Sequence, residues 1–318
     1  MRQSILAVII PCYMARKHVL DVIAGLGLEI DRIYVIDDKC PEQSGAYVQQ
    51  HCKDDRLTVL FNDVNLGVGG ACITGYKQAM LDGADIIIKL DGDGQMDVTK
   101  MPKLIKPIID GQADYTKGNR FYDLAFLEQM PRLRLFGNSV LSLVCKFASG
   151  YWDIVDPTNG FTAIHAKALR LLPLDKLEKR YFFESDMLFR LNTIRARVKD
   201  VPMPAVYADE ESNLDILHVS LHFPMKYLSR MFKRIFYTYF LRDFNAGTVT
   251  LCQGMFMLIA GASYGFWKWW LSYTSGVPAT SGEVMFSALP IYIGFQMLVM
   301  FTNYDVENVP RECLHVHL

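Results

Sequence analysis

The chain has 318 residues, a formal net charge of −1 and 51% hydrophobic residues, with 33 Lys and Arg against 34 Asp and Glu. This balance gives no global basic field and argues against a nucleic-acid partner, while a mean hydropathy of +0.13 is high for a wholly soluble enzyme. The seven cysteines (Cys12, Cys40, Cys52, Cys72, Cys145, Cys252, Cys313) include no C-x-x-C pair, which argues for reduced thiols and a cytosolic catalytic face, and against a zinc centre.

In chain order, Ile5 to Ile10 reads as a buried strand that stops at Pro11-Cys12-Tyr13; it is too short, and lacks the cleavage pattern, for a signal peptide. A helical pattern runs from Arg16 to Leu28. Arg32 to Ile36 is a second strand, ending in Asp37-Asp38. A helix over Gly45 to Cys52 precedes a third strand, Leu57 to Phe61. Asn65-Leu66-Gly67-Val68-Gly69-Gly70 then opens a helix through Met80, and Ile86-Ile87-Ile88 forms a fourth strand. Strands alternating with helices at this spacing predict an α/β fold with a mostly parallel sheet and helices on both faces. Ligands of such sheets bind beyond the carboxyl ends of the strands, where Pro11, Asp37, Asp38 and the segment Asp91-Gly92-Asp93-Gly94-Gln95 all fall.

Two carboxylates one residue apart between glycines form a nest of oxygen ligands suited to Mg²⁺ or Mn²⁺. A lone Asp-Gly-Asp is equally what a hydrated turn looks like; the convergence of three polar strand ends favours the metal reading. Gly67, Gly69 and Gly70 resemble a phosphate loop only loosely. No Gly-Lys-Ser/Thr follows, and the spacing is not G-x-G-x-x-G, so a P-loop and a dehydrogenase are both disfavoured. The three glycines are taken as candidate cofactor-binding positions, with a tight strand-to-helix junction as the structural alternative.

Further on, the segment Tyr115 to Phe121 has a strand followed by an exposed basic residue, Arg120, and a helix carrying Arg132 and Arg134 starts after Pro131. The guanidinium fork of these three arginines matches phosphate oxygens, though a solvated surface arginine is the common case. Asp156 to Ala163 reads as a turn entering a short strand. Tyr181-Phe182-Phe183-Glu184-Ser185-Asp186 leads a helix through Ala196. Its two acidic residues either complement the helix dipole or place a carboxylate near the sugar or acceptor.

From Leu221 the chain changes character. Leu228, Met231, Phe232, Ile235 and Tyr239 share one helical face, while Lys226, Arg230, Lys233 and Arg234 share the other, the pattern of a helix lying in a membrane interface. Thr248 to Trp267 and Val284 to Tyr304 are uncharged and long enough to span hydrocarbon, with Trp267, Trp269 and Trp270 as interfacial aromatics. The connection from Leu271 to Glu283 has no Lys or Arg, so charge bias places the N-terminal domain and the C-terminal tail in the cytoplasm. The expected organisation is a catalytic domain over 1–215, juxtamembrane helices over 216–247, a two-helix transmembrane hairpin over 248–306 and a cytosolic tail over 307–318.

Several segments together resemble family 2 glycosyltransferases of the GT-A fold, in particular the polyprenyl-phosphate glycosyltransferase group. They are Ile9-Ile10-Pro11-Cys12-Tyr13, Val35-Ile36-Asp37-Asp38, Asn65 to Ala71, Leu90 to Met96, Gly118-Asn119-Arg120-Phe121 and Asn159-Gly160-Phe161. The resemblance covers about residues 5 to 210 and implies a GT-A nucleotide-diphospho-sugar transferase domain. It implies that Asp37 and Asp38 contact the nucleotide base with Pro11 and Tyr13 beside it. It assigns Asp91, Asp93 and Gln95 to the metal and sugar diphosphate, and Arg120 and Arg132 to phosphate. The implied reaction is metal-dependent, inverting transfer of a sugar from a UDP- or GDP-linked donor to a membrane polyprenyl phosphate, in a bacterial inner membrane, with a homo-oligomer allowed. Two departures stand out. Met14-Ala15 replaces the usual Asn-Glu, which puts one acidic nucleotide contact in doubt, and the Q-x-x-R-W motif of processive synthases is absent. Transfer to a hydroxyl of a lipid-linked sugar is the alternative, with Asp186 as its base. A nucleotide-sugar-binding membrane protein without turnover is the rival from another class.

Overall fold

The structure is a computed structural model that describes residues 4–122, 132–203 and 216–318. It divides into two units, one formed by Met1–Met231 with Pro310–Leu318, the other by Phe232–Val309.

The first unit is built on a seven-stranded sheet. Its strands are β1 (Leu6–Cys12), β2 (Arg32–Asp37), β3 (Leu57–Phe61), β4 (Ile86–Lys89), β5 (Tyr115–Asn119), β6 (Thr162–His165) and β7 (Val198–Pro202), in the spatial order β3-β2-β1-β4-β6-β5-β7. The first four strands pair in parallel, β1 with β2 and β4, and β2 with β3. The runs of β1, β2 and β4 are buried on both faces, as parallel strands covered by helices require, while β3, at the sheet edge, stays partly exposed. The helices are α1 (Val19–Ala24), α2 (Ser44–His51), α3 (Val68–Leu81), α4 (Met101–Ile109), α5 (Arg132–Ser149), α6 (Ala166–Arg170), α7 (Phe183–Thr193) and the start of α8 (Ile216–Phe236). Val8, Ile10, Ile33, Val35, Ile86 and Ile88 form one core with residues of α1 and α4. Each such side chain contributes roughly 1.5–3 kcal/mol on burial. Helix α1 is much shorter than the Arg16–Leu28 pattern predicts.

Strand β6 departs from the parallel scheme. It runs antiparallel to both β4 and β5, with Lys89 and Lys117 opposite Thr162. Its amino end therefore lies at the edge where β4 and β5 finish, and it carries Asn159 and Gly160 to that edge.

The chain end closes on the same unit. Asp114, fully buried, accepts from the backbone N–H groups of Arg197, Leu314 and His315 and lies 2.7 Å from His315 Nδ1. His315 stacks on His165 at 4.3 Å in the segment that carries α11 (Leu314–His317). With the N–H groups of three residues and the His315 ring aimed at it, the carboxylate is a clamp for the tail.

The second unit holds α9 (Ala246–Ser275) and α10 (Ser281–Glu307), both long and apolar enough to cross a membrane. Small residues let them approach closely: a Cβ on Gly254 would meet Gly294 O at 3.1 Å, and one on Gly261 would meet Ser287 O at 2.9 Å. Arg234 and Asp305 form a buried ion pair at 2.6 Å, joined by the Tyr239 hydroxyl on the same carboxylate oxygen.

Candidate active site

The sheet edge at the carboxyl ends of β1, β2 and β4 gathers the residues singled out by sequence, and it sorts them into two kinds. Asp37 and Asp38 are buried, with 5% and 2% of their surface exposed. The Asp37 carboxylate accepts from the N–H groups of Cys40 and Gly45, each at 2.7 Å. That of Asp38 accepts from the Leu66 and Gly67 N–H groups at 2.9 and 2.6 Å and from the Asn62 amide at 2.8 Å. Both carboxylates thus order the loops around them. Asp37 also lines an open cleft of about 500 Å³ with Lys39, Cys40, Phe61 and Asn62. Pro11 lies within β1 beside Ile36, and Tyr13 is half-exposed just past its end.

The glycine-rich turn serves packing. Gly67 has φ +82°, and a Cβ there would sit 2.6 Å from the Lys179 carbonyl; one on Gly69 would sit 2.4 Å from the Glu178 carbonyl. The Gly70 N–H donates to Lys179 O at 3.0 Å. These glycines let the segment before α7 lie directly on the start of α3, which is the tight-junction account.

The Asp91 side chain is 28% exposed. Its Oδ1 lies 2.7 Å from the Lys89 ammonium, and its Oδ2 faces Gly160, where a Cβ would come within 2.4 Å. Asp93 Oδ1 accepts from the Gln95 N–H at 3.0 Å, closing the turn after β4. Lys89, 1% exposed, also reaches Glu184 Oε1 at 3.2 Å and Gly160 O at 3.3 Å. Burial works to lower the Lys89 pKa, but the Asp91 and Glu184 carboxylates outweigh it and hold it well above the ordinary lysine value. Lys117, equally buried, donates to the Asn159 carbonyl, and burial brings its pKa down to about 8. Neither lysine was singled out from sequence. The available signal was a charge set directly after Ile86-Ile87-Ile88, in a strand that must be buried.

Asp186 is not placed as a base. It is fully buried, and its oxygens accept from the Glu178 N–H at 3.0 Å, Arg190 Nε at 2.8 Å and Arg230 Nε at 2.6 Å. Three donors hold it as an anchor between α7 and α8, while Glu184, one residue before Ser185, is the α7 carboxylate that reaches the site. Arg120 forms a two-point pair with buried Asp156, at 2.7 and 3.0 Å. Arg132 is exposed at the start of α5, and the Arg134 side chain lies outside the described residues. The basic face of α8 also differs from expectation. Lys226 and Arg230 pair with Glu178 at 2.8 and 3.0 Å, and Arg230 with Asp186. Arg234 is buried on Asp305. Three of the four basic residues therefore serve protein carboxylates in place of lipid headgroups.

The sequence pattern described as Glycosyl transferase family 2 matches residues 7–172, just over half of the chain. The chain belongs to glycosyl transferase family 2. It is an enzyme of the glycosyltransferase class with the GT-A architecture. Among relatives, the UDP-N-acetylglucosamine–dolichyl-phosphate N-acetylglucosaminyltransferase of Methanococcus voltae is 28% identical over 223 residues, covering 66% of this chain and 88% of that one. The undecaprenyl-phosphate mannosyltransferase of Micrococcus luteus is 29% identical over 176 residues, covering 55% and 71%. Among solved structures, the glucosyl-3-phosphoglycerate synthase of Mycobacterium tuberculosis with Mn²⁺, UDP-glucose and phosphoglyceric acid shares the fold at TM-score 0.54. It is 15% identical, covering 73% of this chain and 79% of that one.

Proposed function

We propose that this family 2 glycosyltransferase moves a sugar, with inversion, from a nucleotide-diphospho-sugar to a membrane polyprenyl phosphate. The observation that carries the reading is the partly exposed Asp91 at the carboxyl end of β4, with Asp93 two residues on. The relatives' names supply the acceptor class, and α9 and α10 are helices fit to hold a catalytic unit at a bilayer.

Asp91, Asp93 and Gln95 offer hard oxygen donors, and Gly160 leaves the room beside Asp91 Oδ2 that a Cβ would fill. This set fits Mg²⁺ or Mn²⁺. When bound, such an ion neutralises charge on the departing diphosphate. Asp91 and Asp93 would orient the donor's diphosphate, and Arg132, exposed at the start of α5, would meet phosphate oxygens. In the transfer, the bond from the anomeric carbon to the diphosphate breaks, and a bond to a phosphate oxygen of the lipid forms on the opposite face. A phosphate monoester is already ionised near neutral pH, so no proton needs to be removed. A hydroxyl acceptor would need a base, and the engagement of Asp186 with three donors argues against it in that role. The charge bias around the spans and the return of the tail to the first unit support a topology with catalytic unit and C-terminus on one face. The cytoplasmic face of a bacterial inner membrane fits this arrangement.

The test offers the full-length protein in liposomes a panel of UDP- and GDP-sugars with either polyprenyl phosphate or the same lipid as polyprenol. Glycosylation of the phosphate alone is the expected result. Equal labelling of the alcohol, or labelling only of a lipid-linked sugar, overturns the acceptor assignment.

A further inference from the structure

Lys89 is a fully buried ammonium at the centre of the site. It sits on the face of β4 turned toward α3 and α7, between two carboxylates that arrive from different elements: Asp91 at 2.7 Å, from the turn after its own strand, and Glu184 at 3.2 Å, from the first turn of α7. Its third contact is the Gly160 carbonyl at 3.3 Å, at the entrance to β6. One cation therefore ties together three segments at this edge. Two further facts give the arrangement chemical consequences. Lys89 occupies Oδ1 of Asp91, leaving Oδ2 for any ligand. It also holds Glu184, whose Oε1 shares the same ammonium with Asp91 Oδ1.

We propose that Lys89 is a positioning residue that makes Asp91 a one-oxygen ligand and keeps Glu184 off the bound cation. The proposal rests on the reading of this edge as a divalent-cation and sugar-diphosphate site, and deepens it. A carboxylate with both oxygens free can wrap a divalent ion, and a second carboxylate can join it, giving tight binding with fewer places left for substrate phosphate. Mg²⁺ in nucleotide sites is held by one or two carboxylates plus substrate phosphates, so positions must be left open. Lys89 enforces that opening by charge and by geometry: it withholds one oxygen of Asp91 and keeps the Glu184 carboxylate turned toward itself. The consequence is opposite in sign for binding and for turnover. Without the ammonium the ion should bind more tightly and the sugar should transfer more slowly. Simple loss of structure would weaken both.

The experiment measures Mn²⁺ binding to the full-length protein in detergent micelles from the electron paramagnetic resonance signal of free Mn²⁺, alongside steady-state sugar transfer to polyprenyl phosphate. For Lys89→Met, affinity for Mn²⁺ should rise by about tenfold, because a positive charge has left the immediate neighbourhood of the ligand oxygens. The kcat should fall by about tenfold or more. In Lys89→Met/Glu184→Gln, where the released carboxylate is also neutral, Mn²⁺ affinity should return toward the wild-type value. Unchanged or weaker Mn²⁺ binding by folded Lys89→Met overturns the proposal. Should that variant fail to fold, Glu184→Gln decides: with Lys89 left wholly to Asp91, Mn²⁺ should bind several-fold more weakly, and unchanged affinity overturns the proposal. Absence of Mn²⁺ binding by the wild-type protein defeats the cation-site reading itself, and the proposal with it, which separates the two failures.

Discussion

The ends of β2 and β4 both carry paired aspartates, and they do opposite things. At β2, Asp37 and Asp38 are buried and take five hydrogen bonds, four of them from backbone N–H groups in the loops they order. At β4, Asp91 is partly exposed, has one oxygen on Lys89 and turns the other to the space beside Gly160. A carboxylate already saturated by donors builds the loop around it; one that is held at a single oxygen is left for a ligand. Burial and donor count, more than residue type, distinguish the two ends.

The sharpest break of that contrast is in the β4 pair. Asp91→Asn or Asp93→Asn should lower sugar transfer on the order of a thousandfold through lost diphosphate charge stabilisation; Asp93→Asn should leave the melting temperature nearly unchanged, while Asp91→Asn should also lower it, because it takes a carboxylate from buried Lys89. Next is the buried anchor behind it. Arg230→Met strips one of the two guanidiniums from fully buried Asp186 and should cost about 3 kcal/mol of stability in chemical denaturation. A third class of carboxylate lies at β7. Burial raises the Asp200 pKa to about 7, and its Oδ1 has no hydrogen-bond partner among the described residues. Its folded pKa exceeds its unfolded value, so its contribution is full below about pH 4 and is lost as pH rises toward 7. Stability should therefore fall by roughly 2–4 kcal/mol across that window, and Asp200→Asn should flatten the slope. The smallest effect belongs to the β2 pair. Asp38→Asn retains part of the hydrogen bonding to Leu66 and Gly67 and should cost about 1–2 kcal/mol, lowering melting temperature with activity preserved at low temperature. A large loss of turnover from Asp38→Asn without loss of stability would erase the distinction between the two ends.

Strands β1, β2 and β4 were legible because buried parallel strands are written as apolar, β-branched-rich runs, here ending near Pro, Asp-Asp or Asp-Gly; β3 was legible as a short apolar run between turn residues. The two long apolar helices, α9 and α10, were legible as long uncharged stretches. Strand β6 was foreseen as a short strand, but its direction was not, since four residues carry no signal of pairing sense. That direction is what brings Gly160 to Lys89 and Asp91. The polar face of α8 was read correctly as a face and wrongly as to what meets it: amphipathic spacing reports that Lys226, Arg230 and Arg234 are turned from the apolar side, and says nothing of Glu178, Asp186 or Asp305. Asp186 was likewise visible as an acid at a helix start. The three donors that occupy it come from residues up to 44 positions away, beyond the reach of local pattern.

The most direct measurement of the whole account is glycolipid formation by the purified full-length protein, supplied with polyprenyl phosphate and a UDP- and GDP-sugar panel, first with Mn²⁺, then after chelation with EDTA, then with Mn²⁺ restored. The account predicts a glycosylated lipid phosphate from at least one donor, its loss on chelation and its return with the ion. No glycolipid from any donor, or transfer that persists through chelation, would contradict it.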